Sequence, residues 1–454
     1  MLIALLVAGR AAGEKATGPL RVHPTNPRYF TDGSGKAVYL TGFHTWGDMQ
    51  DVTGSDDGLV FLSPGGFDRF LDWVQRTNNN FIRMWVTEHT GSTSLGYTIG
   101  PVPWPRTGPG NALDGKPKFN LSQLDPAFLD RLRQRCLAAQ ERGIYVSIMF
   151  FQIWAVYSEG AWGTNPFNKD NNVNGINGDP NGDGKGEETH TLSAIPAEVL
   201  RVQEAYLRQV VDTVNDLDNV LYEICNEGVG YSVDWQYHLI RYLQDYQSTK
   251  PRRHPVGMTS PAWGTPNRVL LDSPADWVSL ASAKWDSRTD PYACDPPAAD
   301  GGKVSILDSD HVGVWMFKED PAFARAWVWK SFTRGHNPIW MDDLSNAAGF
   351  EAARQAMGHT RTMADKMNLA DMVPRNDLAS TEYCLASPGK EYLVYLPEGG
   401  GVTVDLSAAT GEPAVEWMHP VEGTLTPGGT VTGGEKRTLR APFGGDAVVH
   451  VRKR

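Results

Sequence analysis

Strand-like and helix-like segments alternate along most of this chain, and that alternation limits the folds open to it. Several strand segments are continuous apolar runs, as in strands that are buried on both faces. The predicted strands are Val38–His44, Asn80–Val86, Ile144–Phe151, Val220–Glu227, Pro255–Ser260, Trp277–Ser282, Lys303–Asp310 and Asn337–Asp343. The predicted helices are Phe67–Asn78, Leu124–Gly143, Ala197–Asp216, Trp235–Lys250, Pro321–Gly335 and Phe350–Met367. Eight strands with helices between them predict an α/β fold, the (β/α)8 TIM barrel.

The helical pattern stops near residue 376, where short β runs separated by Gly and Pro begin. We therefore predict a barrel with an N-terminal hairpin over residues 21–375, and a small all-β, sandwich-like domain over residues 376–454. Residues 1–20 include a short apolar run without a basic start. They are predicted to be a remnant signal or a disordered terminus, which favours a secreted or periplasmic protein.

Charge and hydropathy exclude two classes of partner. The formal net charge is −11, whereas nucleic-acid binding requires a basic face. No stretch is apolar enough for a membrane span. Oligomeric state stays open.

The fourth predicted strand ends in two polar residues, Asn226 and Glu227. In a TIM barrel, such strand ends face the substrate. Strand alternation puts Glu223 and Glu227 on one face and Asn226 on the other. Glu223 lies deeper and is predicted to be a structural acid, whereas Glu227 at the mouth is predicted to be catalytic.

The seventh strand supplies a candidate for a second carboxylate. Asp308 and Asp310 point to the same side, and Asp310 is nearer the rim. Paired carboxylates cleave glycosidic bonds at a separation of about 5–5.5 Å with retention, or about 6.5–9.5 Å with inversion. Asp310 is therefore predicted to oppose Glu227. Carboxylates crowded together shift each other's pKa, which keeps one of them protonated.

Further side chains at the predicted strand ends suit sugar recognition, since aromatic faces stack on sugar rings and polar groups bind hydroxyls. The predicted substrate-binding residues are Asn226, His44, Trp46, Asp51, Arg83, Trp85, Glu88, Trp154, Trp162, Asp308, His311 and Asp342. Two long insertions, Thr90–Gln123 and Gln152–Pro196, follow the second and third strands and lie on the same face. Loops of this length in a compact domain are usually functional.

The second insertion contains half of a calcium-binding loop. Oxygen ligands at Asp179, Asn181 and Asp183 and the backbone carbonyl of Lys185 match the first half of an EF-hand. Position 12 of that motif is His190 and not Glu, so Glu187 or Glu188 is predicted to supply the last ligand. We predict a structural Ca²⁺ here, with a metal-free polar turn as the alternative. No cofactor is required for the predicted chemistry.

Asn226-Glu227 at the end of strand four, with Arg83 in Asn-Phe-Ile-Arg-Met-Trp at strand two, resembles the clan of (β/α)8 glycoside hydrolases that includes cellulases, mannanases and β-galactosidases. The resemblance implies that Glu227 is the acid/base, that Asn226 contacts the sugar 2-hydroxyl, and that strand seven carries the nucleophile. The segment Tyr-Leu-Thr-Gly-Phe-His-Thr-Trp and the C-terminal module are similar to cellulase-like and apiosidase-like bacterial proteins. Their small β domain is often labelled a collagen-binding domain.

The chain departs from this clan at strand seven, where Asp310 stands in place of Glu. Asp is one methylene shorter, so retention and inversion both stay open. The sequence therefore predicts a glycoside hydrolase acting on a polysaccharide or oligosaccharide. The alternative is a non-catalytic carbohydrate- or matrix-binding protein on a degenerate glycosidase barrel.

Overall fold

A computed structural model describes residues 14–53, 66–92, 96–157, 161–259, 265–282 and 289–453. Most of the predicted remnant signal, residues 1–13, lies outside these ranges. Within them, no helix has both the length and the apolar character needed to cross a bilayer.

The predicted (β/α)8 barrel is confirmed. Eight strands form one sheet in the order β1-β8-β7-β6-β5-β4-β3-β2, and all the paired neighbours are parallel. The strands are β1 (Gly42–His44), β2 (Phe81–Trp85), β3 (Tyr145–Gln152), β4 (Val220–Asn226), β5 (Val256–Thr259), β6 (Trp277–Ser279), β7 (Val304–Asp308) and β8 (Asn337–Met341). Because the strands run in parallel, their carboxyl ends meet at one mouth.

Strands β1 and β2 close the barrel by a close backbone approach. The amide of Asn80 donates to the carbonyl of Thr41, and the amide of Thr41 donates to the Asn80 side chain, both at 3.0 Å. Gly42 lies so near β2 that an added Cβ would sit 1.9 Å from the carbonyl oxygen of Phe81. Only glycine fits at this point of closure.

Strand β1 is shorter than predicted. Its predicted start, Val38, instead bridges Phe30 across the Asp32-Gly-Ser-Gly turn. Phe30–Thr31 also pairs with Arg21–Val22. Val38 therefore belongs to this hairpin, although its strand-like surroundings predicted that it would begin the first barrel strand.

Six long helices follow strands of the barrel. They are α1 (Gly66–Arg76), α2 (Pro126–Gln140), α3 (Ala197–Val214), α4 (Val233–Gln247), α5 (Pro321–Thr333) and α6 (Ala348–Lys366). Asp125 begins α2 by accepting a hydrogen bond from the amide of Ala127. Asp320 begins α5 in the same way, with the amide of Phe323 as donor. After β5 and β6 the described helices are single turns, Arg268–Leu271 and Pro291–Cys294.

The insertion after β2 builds a small sheet beside the mouth. Tyr97–Gly100 pairs with Asp51–Thr53 on one side and with Gly91–Ser92 on the other. Farther along, Arg106–Asn111 pairs with Pro117–Phe119. The loops after β1 and β2 are therefore joined by backbone hydrogen bonds.

The C-terminal module is all-β, as predicted, and its paired strands are antiparallel. These are β9 (Val373–Pro374), β10 (Cys384–Ser387), β11 (Glu391–Leu396), β12 (Gly401–Asp405), β13 (Ala414–Met418), β14 (Leu425–Thr430), β15 (Lys436–Arg440) and β16 (Ala447–Arg452). Six form a sheet in the order β9-β10-β11-β16-β13-β14, and β12 pairs with β15. Tyr392, Val394 and Val449 pack in the module's own core, whereas Leu393 and Val448 join the apolar cluster of the barrel.

Candidate active site

A cavity of about 420 Å³ opens at the carboxyl ends of the barrel strands. That volume lies within the range of small-molecule sites in proteins. The described residues that line the cavity are Trp46, Trp85, Thr87, His89, Tyr97, Ile99, Gln152, Trp154, Asn226, Glu227, Asp310, Trp315, Lys318, Met341 and Asp343. The predicted catalytic pair, Glu227 and Asp310, is thus brought together in one aromatic-rich cavity.

Glu227 follows the last residue of β4 and adopts a left-handed backbone conformation with φ of 47°. A non-glycine residue in this region is strained by roughly 1–3 kcal/mol, and such strain is concentrated at functional sites. The turn ends the strand and leaves Glu227 in the cavity wall.

A hydrogen-bond network fixes the amide orientation of Asn226. Its Oδ1 accepts from Arg83 at 2.8 Å and faces Nε2 of His311 at 3.4 Å, and its Nδ2 donates to Oε1 of Gln152 at 3.2 Å. Burial, followed by the charge of Arg83, lowers the pKa of His311 to about 3. His311 is therefore neutral, with Ser279 at its Nδ1 (2.8 Å) and its N–H directed to Asn226.

Arg83 organises the floor of the cavity. Its Nε lies 2.9 Å from Oε2 of Glu223, which is buried and also accepts from Thr259. Its Nη1 lies 3.4 Å from Asp308 and 4.0 Å from Asp310. Burial lowers the pKa of Arg83, but the charge and hydrogen bonds of Glu223 outweigh it and raise the pKa overall. The guanidinium is therefore a fixed positive charge beneath the predicted catalytic pair.

The expected alternation of side chains along β4 is wrong at the end of the strand. Asn226 was expected on the opposite face from Glu223, yet both side chains bind the Arg83 guanidinium. Between them, Cys225 packs in the apolar cluster of the barrel. The departure occurs where β4 passes into the turn at Glu227, and period-2 reasoning applies only to regular strand.

Asp308 lies deeper than Asp310, as expected, and is sealed from the cavity. It accepts hydrogen bonds from His44 Nε2 at 3.1 Å and from the backbone amide of Asp310 at 3.0 Å. His44 in turn accepts from the indole N–H of Trp85 at 3.1 Å. Burial raises the pKa of Asp308, but His44, His311 and Arg83 together hold it well below its usual range. Asp308 is therefore an ionised group that holds Asp310 and Trp85 in place.

Asp310 lies in the cavity wall and is almost fully buried. Burial, then the nearby charges of Glu227 and Asp308, raise the pKa of Asp310 well above its usual range, against the opposing effect of Arg83. Two carboxyl groups that interact this strongly titrate as a pair. Repulsion between the two carboxylates therefore favours a form of the pair that keeps a proton, which is the arrangement that acid catalysis with a second carboxylate uses.

Three predicted sugar-contacting residues are fully buried and serve other side chains. His44 and Asp308 bind each other beneath the cavity. Asp342 forms a bidentate ion pair with Arg354 of α6, with both distances at 2.6 Å. A position at the end of a strand indicates which face a side chain lies on but not how deeply it is buried. Each of these three side chains points into the protein because it binds a buried partner.

Four more predicted contacts lie behind the wall or beside it. His311 supports Asn226, and Asp51 pairs with Arg131 of α2 at 3.0 Å. Glu88 is buried and accepts from the amide of Gln152. Trp162 is covered by Gly186, where an added Cβ would lie 2.3 Å from the indole ring. By contrast, Trp46, Trp85, Trp154 and Asn226 reach the cavity as predicted, and Arg83 lies just beneath it.

Sequence reasoning missed several wall residues. Trp315 and Lys318 come from the loop after β7, and Asp343 follows β8, beside the Asp342 that was predicted instead. Tyr97 and Ile99 come from the small sheet after β2. These loop positions have no periodic pattern, although a charged pair such as Lys318 and Asp343 after neighbouring strands could have been considered.

The predicted calcium loop is held by its own backbone. Oδ1 of Asp179 accepts from the amides of Gly182 and Asp183, and its Oδ2 accepts from Gly184, at 2.9–3.2 Å. Over the described ranges, no three His, Cys, Asp or Glu side chains converge as metal ligands. The predicted set also uses the Asn181 amide and the Lys185 carbonyl beside Glu187, and calcium stays a prediction.

Comparisons with known proteins agree with the fold. Residues 370–450 match a family model described as "Putative collagen-binding domain of a collagenase". A glycoside hydrolase family 5 structure from Bacteroides vulgatus is similar over 97% of this chain and 95% of that one, with 13% identity and a TM-score of 0.64. A second Bacteroides vulgatus structure, titled a putative glycoside hydrolase, is similar over 98% and 84%, also with 13% identity and a TM-score of 0.64. The sequence matches no curated protein. The structural likeness shows a shared architecture of barrel and C-terminal module.

Proposed function

We propose that this protein is a glycoside hydrolase that cleaves glycosidic bonds of an oligosaccharide or polysaccharide. The observation that carries the proposal is the placement of Glu227 and Asp310 in the wall of one cavity, at the ends of β4 and β7. The glycoside hydrolase titles of the similar structures support the same class of reaction.

In this proposal Glu227 is the acid/base and Asp310 is the opposing carboxylate. Glu227 protonates the oxygen of the leaving group, and Asp310 either attacks the anomeric carbon or activates a water molecule on the opposite face. Arg83, 4.0 Å from Asp310, opposes the rise in the pKa of Asp310 and so favours the ionised form that this role requires.

Asn226 and the aromatic wall supply substrate binding. Because the Asn226 oxygen is occupied by Arg83 and His311, and one amide N–H by Gln152, the second N–H is the group that can donate to a sugar hydroxyl. Trp46 and Trp154 offer ring faces for the C–H surfaces of a sugar.

The decisive experiment is to screen the purified protein and its Glu227→Gln variant against a panel of glycans and aryl glycosides. The variant removes the proton donor with almost no change in volume. We expect turnover to fall by about 10²–10⁴-fold, with an unchanged melting temperature. Near-normal turnover by the variant on an accepted glycan would reject Glu227 as the acid/base.

Two substitutions on β7 provide matched tests of the second carboxylate. Asp310→Asn should reduce turnover as strongly as Glu227→Gln, whereas Asp308→Asn should act more mildly because that residue only positions others. Rescue of Asp310→Asn by azide, with a glycosyl azide of inverted configuration, would identify Asp310 as a nucleophile. The reverse ranking of the two variants would assign the role to Asp308.

The alternative function is a glycan-binding barrel without hydrolase activity. Its one specific support is Asp310 itself, which is shorter than the Glu implied by the clan resemblance. Glycan binding by the wild-type protein without any turnover, unchanged in Asp310→Asn, would favour this alternative.

A further inference from the structure

The charged pair Lys318 and Asp343 lies in the cavity wall, apart from the proposed catalytic pair. Lys318 Nζ lies 2.8 Å from Oδ2 of Asp343, and both residues line the cavity. The Asp343 side chain is 12% exposed and that of Lys318 is 38% exposed. Among the described wall residues Lys318 is the one cation, because burial lowers the pKa of His89 to about 3.

The loop after β8 is built to hold Asp343 in this position. The preceding residue, Asp342, is fixed by its bidentate ion pair with Arg354. The following residue, Leu344, has a left-handed φ of 61°, a conformation that is uncommon for a side chain of this size. Asp343 Oδ1 accepts from the amide of Ser345 at 2.8 Å. The buried ion pair of Asp342 and the strained backbone of Leu344 thus flank Asp343 and hold its carboxylate at the cavity.

The backbone of Lys318 is also held in place, by a hydrogen bond from α6. Its carbonyl oxygen accepts from the amide of Gly349, the second residue of α6, at 2.6 Å. An added Cβ at Gly349 would lie 2.5 Å from that oxygen, so the approach depends on glycine. The loop that carries Asp310 and Trp315 is therefore anchored to the start of α6 next to the ion pair.

The ion pair has hydrogen-bonding capacity beyond its own contact. An ammonium group has three N–H donors, and a carboxylate has about four acceptor sites. One donor and one acceptor site join Lys318 to Asp343, and Asp343 also accepts from the backbone amide and from the side chain of Ser345. Because Lys318 Nζ and Asp343 Oδ2 lie only 2.8 Å apart, a donor group and an acceptor group are adjacent, which suits two neighbouring hydroxyls of one sugar ring, each a donor and an acceptor.

We propose that Lys318 and Asp343 recognise two neighbouring hydroxyls of an uncharged sugar unit and so determine which sugar the cavity accepts. This inference rests on the proposed glycosidase function and names its substrate class. Even with one proton shared by Glu227 and Asp310, the negative charge of that pair and of Asp343 exceeds the single ammonium charge in the described wall, so a uronic acid meets like charge there. Neutral hexosides and pentosides are therefore accepted, and glucuronides are rejected.

The test separates binding from turnover by using the Glu227→Gln protein. Calorimetry measures its affinity for a panel of neutral methyl glycosides, including pairs that differ at one hydroxyl, and for methyl glucuronide. Lys318→Met and Asp343→Asn are then added singly to that protein. Each should weaken the preferred neutral glycoside about 10-fold and reduce discrimination between the paired sugars. Lys250→Met, at the ion pair between the turn after α4 and Asp212 of α3, is the matched control and should change neither.

Each outcome has a distinct meaning. Loss of affinity and discrimination in both variants, with the control unaffected, supports the proposal. Unchanged affinity and discrimination overturn the role of the pair while leaving the glycosidase function intact. Preference for the glucuronide overturns the neutral substrate class alone. If wild-type protein neither binds nor hydrolyses any glycoside in the panel, the proposed function fails and this inference fails with it.

Discussion

The mouth of the barrel and the interface with the C-terminal module both bury charged groups, but they do so differently. At the mouth, Arg83 neutralises Glu223 while Asp308 and Asp310 crowd the same guanidinium. At the interface, Arg325 forms a bidentate pair with Asp446 at 2.8 and 3.1 Å, and Tyr395 donates to the same carboxylate. The interface balances its charges locally, whereas the mouth retains an excess of carboxylates.

The crowded carboxylates at the mouth lower the folding stability, whereas the matched charges at the interface do not. Like charges held together shift pKa values and keep a proton available, at the expense of folding stability. The interface instead combines matched charges with apolar contacts, such as the stacking of Trp329 of α5 on Tyr395 with ring centroids 6.0 Å apart. The module is therefore packed as a part of the barrel rather than tethered to it.

The largest effect should come from removing the central charge of the mouth. Arg83→Met leaves Glu223 and Asp308 buried without their guanidinium partner. Removing one member of a buried ion pair typically destabilises a protein by about 3–5 kcal/mol. Urea denaturation should therefore show a much lower midpoint. Arg268→Met, in an exposed pair with Asp272, is the control and should leave the midpoint unchanged.

A variant at the interface should lower the free energy of unfolding by less, and the number of its unfolding transitions is informative. Asp446→Ala removes the acceptor for Arg325 and Tyr395, and the lost charged hydrogen bonds correspond to about 1–3 kcal/mol. Because the module shares a core with the barrel, we expect one cooperative transition at a lower temperature, coincident by tryptophan fluorescence and circular dichroism. Two separate transitions would show instead that barrel and module unfold independently.

The fold followed from the sequence more completely than the site did. Continuous apolar runs marked the barrel strands because parallel strands are buried on both faces. Glu227 and Asp310 could be assigned to the mouth because they follow such strands. His44 and Asp342 lie beneath the cavity because their buried partners, Asp308 and Arg354, belong to other elements of the fold, and no local pattern reports that pairing.

The wall residues that the sequence did not indicate also depend on tertiary contacts. Trp315 and Lys318 lie in a loop whose course is set by contacts with α6, including the backbone bond from Gly349. Tyr97 reaches the cavity because its short strand pairs with Asp51–Thr53. Such positions depend on tertiary pairing between loops, which neither residue propensity nor periodicity encodes.

The two regions should also respond to pH in opposite senses. Burial raises the pKa of Glu88 at the mouth to about 7. Burial also acts upward on Glu391 in the module, but the hydrogen bond from His450 outweighs it and lowers the pKa overall. Unfolded Glu has a pKa of about 4.3. Glu88 therefore contributes stability that is lost as pH rises from about 4.3 to about 7, whereas the contribution of Glu391 is lost as pH falls below about 4.3.

Melting temperature measured from pH 3 to pH 8 tests this contrast. Glu88→Gln should flatten the decline between pH 4.3 and pH 7 and leave the acid limb unchanged. Glu391→Gln should flatten the acid limb alone. Identical profiles for the two variants would mean that the mouth and the module do not differ in how they hold buried carboxylates.

The smallest expected effect concerns the Asp179–Glu187 loop, which packs through Gly186 against Trp162 behind the cavity. If Ca²⁺ binds there, chelation lowers the melting temperature, because a ligand that binds only the folded state stabilises it by RT ln(1 + [L]/Kd). Since Asp179 already accepts three backbone hydrogen bonds, we expect a shift of only a few degrees on adding EDTA. The paired variant Asp179→Ala/Asp183→Ala should abolish that shift. An unchanged melting curve, with no calcium by elemental analysis, would assign the loop to a polar turn and leave the proposed catalytic pair unaffected.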